Sequence, residues 1–240
     1  MLRRRSLVQL GAVVALAAIV VVVAILISGS GDDEQAASPT PGASGEPAAN
    51  EEVAKLYDGI PQQGIDLGRK GAPATLVEIA DLQCPFCADY SRNALPAIVR
   101  DYVRPGKLRY ELHFRSFLGR DSVRAAGAAA EAARQDRMYE FADVFYRNQG
   151  PENSDYADAD FMRMVGSKVE GLDVDKVVAA ADDPLSRPAV KEGEEFARNL
   201  GSTSTPDFYI RTGGVLTPLQ VGGTAPDDYA RAIDAALGRT

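Results

Sequence analysis

The chain has 240 residues, 45% of them hydrophobic, enough for a sizeable core in one large or two small domains. Its 34 acidic and 26 basic residues leave a net charge of −8, and no dense lysine and arginine stripe is present, which argues against nucleic acid as a partner. Two cysteines and one histidine exclude a four-cysteine or a two-cysteine, two-histidine zinc site within a single chain.

Arg3, Arg4 and Arg5 precede an almost wholly apolar run from Leu7 to Ile27, interrupted only by Gln9 and Gly11. A spanning helix needs about 20 apolar residues, so 7–27 is expected to be a transmembrane signal-anchor helix. The arginines favour the cytoplasm for residues 1–6 and send everything after Ile27 to the far side of the membrane. The competing reading is a cleaved secretory signal, whose apolar region of about 7–15 residues ends at a small-x-small site. Here the run is longer and Ser28-Gly29-Ser30 is a weak cleavage site, while the lack of a cysteine close behind excludes a lipoprotein anchor. Both readings export the domain. Residues 28–50 are small, polar and rich in proline and glycine, with no apolar periodicity, and are expected to form a disordered linker.

The domain proper is expected over 51–240. Ala74–Ala80 ("ATLVEIA") is a short apolar run bounded by Gly71 and Pro73, which suits a buried strand. Both cysteines follow at once in "DLQCPFC", as Cys84 and Cys87. Beyond them Tyr90, Leu95, Ile98, Val99 and Tyr102 recur at roughly helical spacing, with a kink expected at Pro96. In "KLRYELHFR", Leu108, Tyr110, Leu112 and Phe114 alternate with polar residues, so a half-buried strand is expected, with His113 on its polar face as a surface residue. Asp121 to Asn148 reads as strongly helical, and weaker helical stretches follow around 161–169, 174–181 and 190–199. The acidic stretch Asn153–Phe161 lacks the ligand spacing and closing glutamate of an EF-hand and reads as a loop entering a helix. Phe208–Ile210, the turn Thr212-Gly213-Gly214 and a run near Val215–Val221 read as a hairpin, with Pro218 at an edge or irregularity. A closing helix is expected from an N-cap at Thr224 to a stop at Gly238.

The cysteines therefore fall where a strand ends and a helix begins. A helix N-terminus presents unpaired N–H groups and the positive end of the dipole, which stabilise an adjacent thiolate. Cys84 at that end would be acidified and exposed, Cys87 one turn further in could resolve a mixed disulfide, and Pro85 suits the first helical turn. Two alternatives stand beside a redox pair. A structural disulfide closing so small a loop would restrict the unfolded chain very little, and half of a dimeric zinc site is the other.

"VEIADLQCPFC" resembles the active-site strand and helix start of the thioredoxin superfamily, specifically its DsbA-like branch. The likeness covers about Leu67 to Thr240. It implies an α/β thioredoxin-like fold with a helical subdomain inserted at about 119–199, here preceded by the expected transmembrane helix and tether. It implies that Thr205-Pro206, in "GSTSTPDFYI", forms a cis-proline loop facing the cysteines and offering backbone groups to a substrate peptide. Pro85 and Phe86 would lie against that substrate as well. Glu78 stands where the family carries a buried acid assisting proton transfer to and from the cysteines; a partly exposed strand residue is the alternative, and Asp81 reads as a turn or cap residue. The activity implied is thiol–disulfide exchange through a Cys84–Cys87 redox-active disulfide, with no metal and no other cofactor. Its substrates would be exported proteins with cysteines, and a membrane redox partner would reoxidise or reduce the pair. Disulfide formation suits an exported domain; a reductase or isomerase, or an idle thioredoxin-fold binding or chaperone module, are the other readings. The dipeptide between the cysteines is Pro-Phe rather than Pro-His, so Phe86 brings neither a hydrogen bond nor a charge to the thiolate, and a less oxidising pair is expected.

Overall fold

A computed structural model describes residues 46–239, which fall within one compact unit. The anchor expected over 7–27 and the tether as far as residue 45 lie outside the described residues. Among the described residues, no helix is long and apolar enough to cross a membrane.

The first helix, α1 (Glu46–Tyr57), begins inside the segment read as linker. Pro47 in its first turn and Ala48 and Ala49 behind it are favourable helix-start residues, which a reading for proline and small residues mistakes for tether. Two minimal strands follow, β1 (Gln62–Gln63) and β2 (Asp66–Leu67), and then β3 (Ala74–Ala80). Behind the cysteines lies α2 (Pro85–Asn93), which breaks at Ala94 before a short α3 (Leu95–Ile98) and a wider π-turn over Val99–Val103. The break falls two residues before Pro96, which supplies no N–H to the turn behind it. β4 (Arg109–Phe114) then returns parallel to β3.

The inserted helices are α4 (Arg120–Arg134), α5 (Met138–Arg147), α6 (Ala159–Ser167), α7 (Val174–Asp182) and α8 (Pro188–Asn199), with a 3₁₀ turn at Pro184–Ser186. The long helical stretch from Asp121 to Asn148 is thus two helices, separated where Asp136 takes φ 55 and turns the chain. The acidic loop does lead into a helix, with Asp158 capping α6 through its bond from the Phe161 N–H at 2.9 Å. The chain closes with β5 (Asp207–Thr212), β6 (Val215–Pro218) and α9 (Pro226–Ala236). Gly213 and Gly214 both have positive φ, as a two-residue hairpin turn of this kind requires. The N-cap of α9 is Ala225 rather than Thr224, and the Asp228 carboxylate supplies the cap by accepting from the Ala225 N–H at 3.0 Å.

The strands form one sheet in the order β1-β2-β4-β3-β5-β6, with β3 and β4 parallel and the other pairs antiparallel. β6 is an edge strand, which accommodates Pro218. Alternation sends Leu76, Glu78, Tyr110, Leu112, Phe208 and Ile210 into the larger core, and Val77, Ile79 and Tyr209 against Phe196, Ala197 and Leu200 on and just beyond α8. His113 lies on this second face as expected, but it is not a surface residue. It stacks on Phe196 at 3.9 Å, bonds to Glu111 at 2.7 Å and leaves 12% of its side chain exposed, because α8 covers that face.

Candidate active site

β3 delivers the chain to the C-terminal end of the central parallel pair, where a turn of Asp81, Leu82 and Gln83 separates strand from helix. Cys84 is the N-cap of α2 in extended conformation and Pro85 its first residue. The Ala88 N–H bonds to the Cys84 carbonyl at 3.1 Å, while those of Phe86 and Cys87 are left for the Cys84 sulfur. Both cysteines are free thiols; Cys87 is wholly covered, and Cys84 is not exposed as expected but 4% exposed, because the Thr205–Pro206 loop lies over its sulfur.

The two thiols diverge. Cys84 is lowered from 9.0 to about 6, first because the Cys87 thiol donates to its sulfur, then through the Thr205 side chain and the N–H groups of Cys87 and Phe86, which together outweigh burial. Cys87 is pushed well above the usual thiol range by burial, by donating to Cys84 and by the negative charges of Glu78 and Cys84. Glu78, six residues before Cys84 on β3, is buried at 3% exposure; burial pushes its carboxyl up to about 8, a bond from Tyr110 at 2.5 Å partly offsets this, and the Cys84 charge adds to it. The partly exposed alternative for Glu78 is therefore excluded by where β3 sits.

Opposite the cysteines, the Thr205–Pro206 peptide is cis, and the Cys84 thiol donates to the Thr205 carbonyl at 3.3 Å. The buried Thr205 Oγ1 lies near enough to the Cys84 sulfur to favour its thiolate, but makes no hydrogen bond of ordinary geometry while Cys84 is a thiol. Phe86 projects from α2 with 70% of its surface exposed. Phe86 and Pro206 border a groove of about 330 Å³, floored by Phe208, Leu219 and Tyr229 and flanked by Asp89 and Asp207. Tyr90, Phe208 and Tyr229 pack ring against ring beneath it, at 4.7 to 5.3 Å. The expected site residues Cys84, Cys87, Glu78, Pro85, Phe86, Thr205 and Pro206 thus gather at one end of the sheet.

Other residues hold this end together in ways the sequence did not mark. Asp81, expected only as a turn residue, accepts from the Gln83, Phe117 and Leu118 N–H groups and from the Ser122 hydroxyl, at 2.6 to 3.1 Å. Gln83 donates to the Leu118 carbonyl at 2.9 Å and accepts from the Asn153 N–H at 2.8 Å. From just past α5, Gln149 donates to the Leu82 and Cys84 carbonyls at 2.8 and 3.2 Å. The insertion therefore braces the turn that presents Cys84, through carbonyls that every residue carries. Among the described residues, no cluster of three or more His, Cys, Asp or Glu is placed to hold a metal.

The family model for thioredoxin matches residues 62–234. A probable disulfide bond formation protein D of Bacillus cereus is 27% identical over 175 residues, covering 71% of this chain and 77% of that protein. The disulfide bond formation protein D of Bacillus subtilis is 20% identical over 146 residues, covering 60% of this chain and 66% of that protein. Among solved structures, oxidised BdbD from Bacillus subtilis superposes with a TM-score of 0.64 at 19% identity, covering 75% of this chain and 97% of that one. The alpha-DsbA1 structure from Wolbachia pipientis gives 0.60 at 22% identity, covering 80% and 96%.

Proposed function

Since the chain belongs to the thioredoxin family, in its DsbA-like branch, we propose that it is a thiol–disulfide oxidoreductase that forms disulfides in exported proteins. The observation that carries this reading is the asymmetry of the pair: an acidified Cys84 facing a cis-proline loop, with a proton-holding Cys87 behind it. A substrate thiolate attacks Cys84 Sγ of the Cys84–Cys87 disulfide. A bond from the substrate sulfur to Cys84 forms, the Cys84–Cys87 bond breaks, and Cys87 leaves as a thiolate that takes a proton. A second substrate thiolate then attacks the substrate's own sulfur, closing the substrate disulfide and releasing Cys84 as a thiolate. Cys84 is a good leaving group because its thiol lies near 6. The substrate has lost two electrons and the pair has gained them, and a membrane redox partner reoxidises it.

Each remaining role follows from position. The substrate segment lies across Thr205 and Pro206, with Pro85 and Phe86 on its other side and an apolar side chain in the groove. Glu78 is the proton donor and acceptor for Cys87. The arginines and the apolar run of 7–27 support a single-pass membrane protein with its N-terminus in the cytoplasm and this domain outside.

One observation favours a milder oxidant than the strongest of this branch. A Cys84 value of about 6 lies nearer the roughly 7 of thioredoxin than the roughly 3.5 of the most oxidising enzymes. Phe86 contributes no charge or side-chain bond to that sulfur. This poise leaves disulfide reduction or isomerisation as the second reading, and thiol trapping in cells separates the two. Cysteines found mostly oxidised support disulfide formation; cysteines found mostly reduced transfer the reading to the reductase. In the purified protein, Cys84→Ala is expected to abolish oxidation of a two-thiol peptide, and Cys87→Ala to accumulate a mixed disulfide through Cys84. Full activity in Cys84→Ala would leave a binding or chaperone module with an idle pair.

A further inference from the structure

Glu78 has an unusual set of neighbours for a buried carboxyl. Tyr110, diagonal to it on the same face of the β3–β4 pair, reaches Glu78 Oε2 at 2.5 Å and the Tyr90 hydroxyl at 3.1 Å. The titratable groups facing it from other elements are Cys84, Cys87 and Tyr90 of α2, Tyr110 of β4, Tyr139 and Tyr146 of α5, and Tyr229 of α9. All are phenols or thiols. Among the described residues, no cation acts on Glu78.

One hydroxyl proton cannot serve both bonds of Tyr110 at once, so two arrangements exist. With Glu78 ionised, Tyr90 donates to Tyr110 and Tyr110 donates to the carboxylate. With Glu78 protonated, the carboxylic acid donates to the Tyr110 oxygen, and the Tyr110 proton turns to Tyr90. A buried polar group without a partner is costly in either charge state; here the Glu78 carboxyl has one in both. A cation in the same place could only donate and would hold the carboxyl ionised.

We propose that Tyr110, backed by Tyr90, is a positioning residue that lets Glu78 hand a proton to Cys87 and take it back, by accepting from the acid and donating to the carboxylate. This rests on the reading of Cys84 and Cys87 as the working pair. When a substrate thiolate opens the disulfide, the electron pair of the broken bond goes to Cys87 Sγ. The Glu78 proton follows it, leaving a Cys87 thiol and a buried carboxylate that the Tyr110 hydroxyl stabilises. Release of the Cys84 thiolate then raises the proton affinity of Glu78, and reoxidation returns the Cys87 proton to it.

Tyr110→Phe removes one hydroxyl and keeps the ring, and the test uses it in the purified full-length protein. Infrared titration follows the protonated-carboxyl band that Glu78→Gln deletes, and the rate at which a small dithiol opens the disulfide is followed against pH. Loss of one charge-assisted hydrogen bond is expected to raise the Glu78 midpoint by about one pH unit or more. The opening rate at pH 7 is expected to fall about tenfold, part of the 10²–10⁴ a general acid contributes. In a Glu78→Gln background the same change is expected to leave the rate unaltered. A variant that only melts earlier, with midpoint and pH profile unchanged, overturns the proposal, as does an equal rate loss without Glu78. If the wild-type disulfide exchanges with no thiol at all, the oxidoreductase reading fails, while the infrared titration still decides whether Tyr110 sets the state of Glu78.

Discussion

At the scale of single residues, Cys84 and Cys87 show how strongly position acts on identical side chains. They stand three residues apart, yet one thiol is lowered to about 6 and the other raised well above 9.0. The difference arises at the helix end: the sulfur at the N-cap meets donors, while the one a turn inside meets burial and negative charge. In the reduced protein, thiolate absorbance in the ultraviolet is therefore expected to rise by one thiolate with a midpoint near pH 6. The second thiolate should appear only in strongly alkaline solution. Cys87→Ala removes the donor that lowers Cys84 most, so that midpoint is expected to move upward. A midpoint left unmoved would assign the acidity to the helix end alone. Much of this was legible in the sequence, because a strand, a cysteine pair and a proline at the first helical position imply a local geometry. The burial of Glu78 was implied only by the resemblance, with a partly exposed residue left open beside it, and the reach of the Tyr110 hydroxyl was not legible. Both depend on β3 and β4 being neighbours in register, and no short window of sequence encodes a register.

At the scale of elements, β3, α2, the glycine hairpin and α9 are readable because their signals are local: an apolar run, a proline at a helix start, paired glycines, a C-terminal glycine. The elements that escaped lack such signals. β1 and β2 are two residues each, too short to show any alternation, and exist because β2 pairs with β4. His113 is covered because α8 crosses the outer face of the sheet closely enough that a Cβ on Gly193 would lie 2.4 Å from the Phe114 carbonyl oxygen. That approach can be tested. Gly193→Ala gains about 1 kcal/mol of helix propensity but drives a methyl group into backbone, and overpacking of this kind costs about 1–3 kcal/mol or more. A net loss of about 1–2 kcal/mol is expected in chemical unfolding. Gly71→Ala, whose added Cβ meets nothing within 4 Å, should stay within about 0.5 kcal/mol of the parent. Equal stabilities for the two variants would mean that α8 packs more loosely on β4.

At the scale of the whole molecule, folding, redox state and pH are coupled through the same buried groups. Glu78 holds its proton to about pH 8 in the folded chain but only to its ordinary value near 4.5 when unfolded. Between those values the folded state binds the extra proton, so this group makes stability fall as pH rises. Cys84 acts in the opposite sense: its folded value near 6 is below 9.0, so the unfolded state binds the extra proton between them. Its contribution is complete above pH 9 and is lost as pH falls through about 6. Only the reduced protein has that thiol to titrate. The oxidised form should therefore lose stability as pH rises above 4.5, because burial alone raises Glu78 there, whereas the reduced form should stop losing it near 6 and regain some by 9. The difference between the two forms removes every group that titrates alike in both, so it should widen in favour of the reduced form between about pH 6 and pH 9, less the part that the Cys84 charge takes back by raising Glu78 in the reduced form. Chemical unfolding of both forms across that range measures it. A constant difference would mean that Cys84 is no more acidic folded than unfolded, and the leaving-group role assigned to it would fall with that result. Glu78→Gln is expected to flatten the oxidised curve and to leave the widening in place, because the charge that drives the widening is on Cys84.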